Sequence, residues 1–190
     1  MADLPKRRKI RNQYHDYSLP GSYFITIDVR FGQCLFGQGK SENEIELNSL
    51  GKVAESSWLS IPIHFPLIIL GKYVVMPNHI HGIIHVGPAI LIDDLTQSVN
   101  VELPFISANF KNANSNRFGP LKRGSLGVII GQYKASVCRW ANSNRYGGLF
   151  DWHSLFYDRI IKDKNMLKIF EKYIEQNPAK WWAKYGNKQW

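Results

Sequence analysis

The segment Tyr73-Val74-Val75-Met76-Pro77-Asn78-His79-Ile80-His81-Gly82-Ile83-Ile84 decides the fold of this chain. Two runs rich in β-branched and aromatic residues flank the turn signal Pro77-Asn78, which predicts antiparallel strands on either side. The first run covers Phe65 to Met76 with a break at Gly71, and the second covers Ile80 to Val86. Residues two apart on a strand share a face, so His79 and His81 project together, with Cα atoms about 7 Å apart. Two imidazoles at that spacing can meet on one metal ion. His85 shares the face but lies about 13 Å beyond His81, which makes it a poor third ligand. On these residues alone the pair is either a metal site or two half-buried structural histidines.

Working outward, residues 1–20 form a basic, extended arm that ends at Pro20-Gly21. Tyr23 to Val29 is a strand by composition, and Glu44 to Leu47 a shorter one. Asn48 or Ser49 can cap a helix that runs to about Ser60, where Pro62 stops it. From Gly87 to Gly124 no period persists, as in a functional loop or a linker. Helical character returns from Ser125 through Trp140, and the stretch Asn142 to Gly148 ends it. A last helix is expected from Asp163 through Ile174 to Pro178. Strands first and helices last predict an α+β domain on an antiparallel sheet. The domain covers 21–182, with an insert at 87–124 and a tail at 183–190.

The chain carries 24 Lys and Arg against 15 Asp and Glu, a net charge of +9 over 190 residues. That charge is segregated: residues 1–11 carry +4, residues 12–110 carry −5, and residues 111–190 carry +10. A basic second half on a mildly acidic first half points to a polyanion partner. The candidate contacts are Lys6, Arg7, Arg8, Lys9 and Arg11 in the arm and Lys122 and Arg123 in the insert. Lys134, Arg139, Trp152, His153 and Arg159 follow, where aromatic residues mixed with charge suit base stacking and phosphate contact. No apolar run, Leu67 to Leu70 included, has the length of a membrane span. Cys34 and Cys138 are isolated, which fits a reducing, cytoplasmic (nucleoid-associated) setting.

Tyr173 and Asn177 are four apart on the last helix and so share a face. They suit a nucleophile beside a metal ligand, or equally a core tyrosine and a helix terminator ahead of Pro178. Tyr133, followed by Lys134, is a weaker rival, because adjacent helix positions do not face each other.

Taken together, three segments resemble the HUH-class single-tyrosine transposases, and among them the REP-associated tyrosine transposases. They are Tyr73 to Ile84 with its His-hydrophobic-His core, Trp152-His153 through Tyr157-Asp158-Arg159-Ile160-Ile161, and Tyr173-Ile174-Glu175-Gln176-Asn177-Pro178. Gly21-Ser22-Tyr23-Phe24-Ile25-Thr26 also resembles their first strand. The resemblance implies a ferredoxin-like sheet with helices packed on one face, the histidine pair on a central strand and the tyrosine on a C-terminal helix. It implies Mg²⁺ or Mn²⁺ held by His79, His81 and Asn177, and Tyr173 as nucleophile toward single-stranded or hairpin DNA. The product would be a 5′-phosphotyrosine and a free 3′-OH, formed by a monomer or a homodimer. A catalytically silent nucleic-acid-binding module of the same fold is the alternative, and a zinc phosphodiesterase working through water is a third.

Overall fold

A computed structural model describes residues 15–87 and 124–186. The arm lysines and arginines, Lys122, Arg123 and almost all of the 87–124 insert lie outside the described residues.

Among the described residues, six strands and five α-helices follow in the order β1 (Gly21–Asp28), β2 (Gly37–Ser41), β3 (Glu44–Leu47), α1 (Ser49–Leu59), α2 (Ile61–His64), β4 (Ile68–Met76), β5 (His79–Val86), α3 (Leu126–Asn142), β6 (Tyr157–Ile161), α4 (Lys164–Glu175) and α5 (Asn177–Tyr185). The main sheet is antiparallel with strand order β4-β5-β1-β6. Stripping out the small β2–β3 hairpin leaves strand-helix-strand-strand-helix-strand, the ferredoxin-like arrangement. The histidine-bearing strand β5 is central, paired with β4 on one side and β1 on the other.

Local chemistry explains where the elements begin. Asn48 caps α1, its side chain accepting from the Gly51 amide at 3.0 Å. Asp163 caps α4 in the same way through the Met166 amide at 2.8 Å. Pro77 and Asn78 make the two-residue turn between β4 and β5, whose ladder runs from Met76 opposite His79 to Ile68 opposite Val86. A register shift between Leu70 and Tyr73 marks the break expected at Gly71.

Packing accounts for the division of helices. Along β5 every residue after His79 is buried, so this strand must be covered on both faces. Tyr23, Ile25, Ile27, Ile80 and Ile84 face α1 and α3, with Trp58, Leu126, Ile129, Ile130 and Val137 completing the larger core. Phe24 and Ile83 face the other way, against Leu167, Phe170 and Ile174 of α4. The expectation of helices on one face therefore holds for α1 and α3, while the C-terminal helices cross to the opposite one. Gly82 shows how close the first layer sits: a Cβ there would lie 2.3 Å from the Trp58 indole.

Three further differences have local causes. The single last helix is in fact two, broken at Gln176. Pro178 has no N–H to offer the Ile174 carbonyl and its ring would collide with it, so the chain restarts with Pro178 in the first turn of α5. Strand β6 lacks an apolar alternation because it is a sheet edge, with Tyr157 and Arg159 exposed. Strand β2 is glycine-rich and is held as a strand by its hairpin with β3.

Candidate active site

The sheet register builds the site. Thr26 stands opposite His81 and Asp28 opposite His79 on the β1–β5 ladder, so the face that carries the imidazoles also carries Phe24 and Thr26. The two imidazole rings lie 4.5 Å apart, centroid to centroid. Phe24 stacks on the His81 ring at 5.2 Å and on Phe170 of α4 at 4.5 Å. That stack fixes the distance between helix and sheet, and it brings Tyr173 one turn further along α4 to 5.2 Å from His81. Tyr173 is 39% exposed and touches Phe24 edge-on. It sits at the rim of the α4 packing stripe, so the reading of Tyr173 as simple core fails. An ion pair between Lys72 of β4 and Glu175 ties the end of α4 to the sheet.

The break at Gln176 decides where Asn177 goes. Asn177 opens α5 and is buried, with its side chain hydrogen-bonded to His79. Trp181, one turn on, covers the His79 ring from 6.2 Å.

Burial keeps both imidazoles neutral. It pushes His79 down to about 4, against a smaller opposing pull from Asn177. It pushes His81 down to about 3, and His79 beside it adds to the effect. Each ring is also oriented through Nδ1: that of His79 donates to Asn78 Oδ1 at 2.6 Å, and that of His81 meets Thr26 Oγ1 at 2.8 Å. Asn78 Oδ1 can only accept, so the proton of His79 sits on Nδ1 and its Nε2 keeps a lone pair. Two neutral imidazoles held by outer hydrogen bonds, with an amide beside them, are a donor set that suits a divalent ion. Among the described residues no group of three His, Cys, Asp or Glu is placed to hold a metal.

Other candidate residues fall elsewhere. Tyr133 is buried in the core and donates to the Ala54 carbonyl at 3.1 Å, with its phenol held well above the usual range by burial. It is not available as a nucleophile. Trp152 is only 4% exposed and its indole donates to the Lys134 carbonyl at 3.2 Å, so it is a core residue and not a platform for bases. Lys134 is half-buried, its ammonium donating to the His153 carbonyl at 2.6 Å. It anchors the loop before β6 instead of reaching outward. Arg139 lies on α3, beyond the sheet from the imidazoles, beside a cleft of about 220 Å³ with Ser57, His64 and Ser136. Arg159 is exposed opposite Phe24 on the site face, and His153 stacks on the neighbouring Tyr157 at 6.4 Å. His85 is buried behind Ile83 and bonded to Ser22 Oγ at 2.7 Å, outside the cluster.

Reasoning from sequence missed Thr26, Phe24 and Asn78 as supports of the imidazoles. Asn78 was visible as a polar side chain adjacent to His79 but read only as a turn former. Thr26 and Phe24 required the β1–β5 register, which no local pattern supplies.

No protein-family model matches the chain. An uncharacterized protein of Haemophilus influenzae is 34% identical over 182 residues, covering 95% of this chain and 92% of that one. Among solved structures, a REP-associated tyrosine transposase bound to a REP hairpin superposes with a TM-score of 0.53 at 14% identity, over 90% of this chain and 74% of that chain. A Deinococcus radiodurans structure aligns with a TM-score of only 0.44 at 10% identity, over 87% of this chain and 98% of that one. The chain belongs to the family of the Haemophilus influenzae protein, and its fold is similar to that of the REP-associated tyrosine transposase structure.

Proposed function

We propose that the protein is a metal-dependent single-stranded DNA endonuclease and strand transferase that works at DNA hairpins through a covalent tyrosine intermediate. The observation that carries this reading is the meeting of Tyr173, His79, His81 and Asn177 in one cluster, from segments about 90 residues apart in the chain. A structural role alone does not call for a half-exposed phenol over a pair of neutral, oriented imidazoles.

In this reading His79, His81 and Asn177 hold Mg²⁺ or Mn²⁺. The ion supplies Lewis acidity, polarising the scissile phosphate and offsetting charge that develops during in-line displacement. Thr26 and Asn78 keep the imidazoles in the ligand orientation. Tyr173, which is solvent-exposed, gives its phenolic proton to water and attacks phosphorus, forming the Oη–P bond as the P–O3′ bond breaks. The departing 3′ oxygen takes a proton from water and leaves as a 3′-OH. The phosphotyrosine conserves the energy of the broken phosphodiester, so a second 3′-OH can rejoin the strand without ATP. Arg159 and His153, on the exposed edge beside the site, contact the incoming strand.

The test uses fluorescein-labelled hairpins with a randomised single-stranded flank, incubated with Mn²⁺ and resolved under denaturing conditions. A protein–DNA adduct that is lost with EDTA and in Tyr173→Phe is the expected result. Hairpin binding that is indifferent to metal and gives no adduct would instead identify a silent binding module.

A further inference from the structure

The kink at Gln176 places one more charged group at the nucleophile. Lys180 lies on α5 and its Nζ sits 4.8 Å from the centroid of the Tyr173 ring. In an unbroken helix these residues, seven apart, would be separated by about 10 Å along the axis. The two residues belong to separate helices, α4 ending at Glu175 and α5 opening at Asn177, and the long lysine stem lays its ammonium over the ring. Tyr173, Asn177 and Lys180 thus converge as a stripe from two helices, while their partners His79 and His81 come from the sheet.

The surroundings leave this ammonium available. Among the described residues, Lys40 and Lys72 are each ion-paired to a glutamate, Glu44 and Glu175 respectively. Glu175, which like Glu171 is two residues from Tyr173, is thereby engaged by Lys72. Lys184 lies over Tyr185, one turn beyond the cluster. Among the described residues, Lys180 rests on the Tyr173 ring face with no ion pair, and it is exposed to solvent. A cation on an aromatic face is held weakly at an exposed site, and a phosphate oxygen competes well for it.

We propose that Lys180 is a catalytic residue of this site, the cation that passes from the Tyr173 ring to a non-bridging oxygen of the scissile phosphate. This inference rests on the tyrosine-transferase reading. The lysine keeps its proton throughout: the Oη–P bond forms, the P–O3′ bond breaks, and the ammonium balances charge on the equatorial oxygens in both directions of the reaction. It lies across the reacting phosphate from the imidazole pair, so the phosphate is neutralised from the helix side and from the sheet side. Resting on the ring, it also keeps the phenol toward the site before DNA arrives.

The experiment is single-turnover adduct formation on the same labelled hairpin library with Mn²⁺, comparing wild type, Lys180→Met, Lys180→Arg and Tyr173→Phe. Lys180→Met should form adduct about 100- to 1000-fold more slowly at saturating DNA, in the range seen when one charge-stabilising donor is lost. Its Mn²⁺ requirement, its half-saturating DNA concentration and its melting temperature should stay close to wild type. Lys180→Arg should recover most of the rate, and rejoining by Lys180→Met should slow in parallel with cleavage. A Lys180→Met variant as fast as wild type overturns the lysine assignment and leaves the tyrosine reading standing, as does an arginine variant as slow as methionine. Absence of any Tyr173-dependent adduct in wild type overturns both.

Discussion

Thr26 Oγ1 lies 2.8 Å from Nδ1 of His81, a contact made possible because the two residues are direct partners across the β1–β5 ladder. The hydroxyl sets the ring orientation and leaves Nε2 for a ligand. Thr26→Val keeps the shape and removes the hydrogen bond. Divalent metal affinity should fall about 10- to 100-fold, the usual effect of losing an outer partner of a metal-bound histidine. Thr26→Ser should retain it. Calorimetric titration with Mn²⁺ reads this directly, and equal affinity for all three proteins would remove Thr26 from the site.

Acid should destabilise the protein through the same imidazoles. In the unfolded chain they take up protons near the ordinary value of 6.5, whereas in the fold they resist down to about 4 for His79 and about 3 for His81. Below about pH 6.5 the unfolded state therefore binds more protons, and stability drops as pH falls until the folded values are passed. At about pH 5 the loss is on the order of 2 kcal/mol per histidine. His85, also pushed down by burial, adds in the same direction. Urea unfolding in EDTA should show a flatter decline between about pH 6.5 and 4.5 for the variant carrying His79→Gln and His81→Gln. An unchanged slope would mean that the imidazoles are not the responsible groups.

Gly82 is fixed by the helix layer on the far side of the sheet. A methyl group at this position would overlap the Trp58 indole, so Gly82→Ala should cost about 1–3 kcal/mol through overpacking. Adding Trp58→Leu should make the two changes markedly non-additive, since the smaller side chain vacates the space. Simple additivity in chemical denaturation would show that the contact is not the cause.

Two aromatic residues of the larger core should prove structural. Tyr133→Phe removes one buried hydrogen bond to the Ala54 carbonyl and should cost about 1 kcal/mol while leaving the adduct rate intact. Trp152→Ala opens the core beside Phe36, Tyr133 and Phe150 and should cost about 3–5 kcal/mol. By contrast, Arg159→Gln on the exposed edge should leave the melting temperature unchanged and reduce the salt dependence of hairpin binding. Loss of a phosphate contact lowers that slope by about one unit. Weaker DNA binding by Trp152→Ala at full stability would restore it as a stacking residue.

Periodicity and turn chemistry made much of this legible in advance. The alternation around Pro77-Asn78 set the β4–β5 hairpin and the shared face of the two histidines, Asn48 and Asp163 marked helix starts, and the order of elements set the α+β class. These are local signals, carried by neighbouring residues. Edge strand β6 and the glycine-rich β2 escaped because their strand geometry comes from partners, β1 and β3, distant in sequence. Lys134 and Trp152 looked like DNA contacts because composition does not distinguish a basic surface from a loop anchored to its own core.

The sequence by itself determined which candidate groups are present: two imidazoles two apart, and a phenol and an amide four apart. Only the tertiary structure decided that they stand in one cluster. Burial of β5 beyond His79 demanded a second helix layer, and the Phe24–Phe170 stack set its height. Proline cannot donate to the Ile174 carbonyl, so the chain opens a new helix there, and that helix carries Asn177 to His79 and Lys180 to the Tyr173 ring.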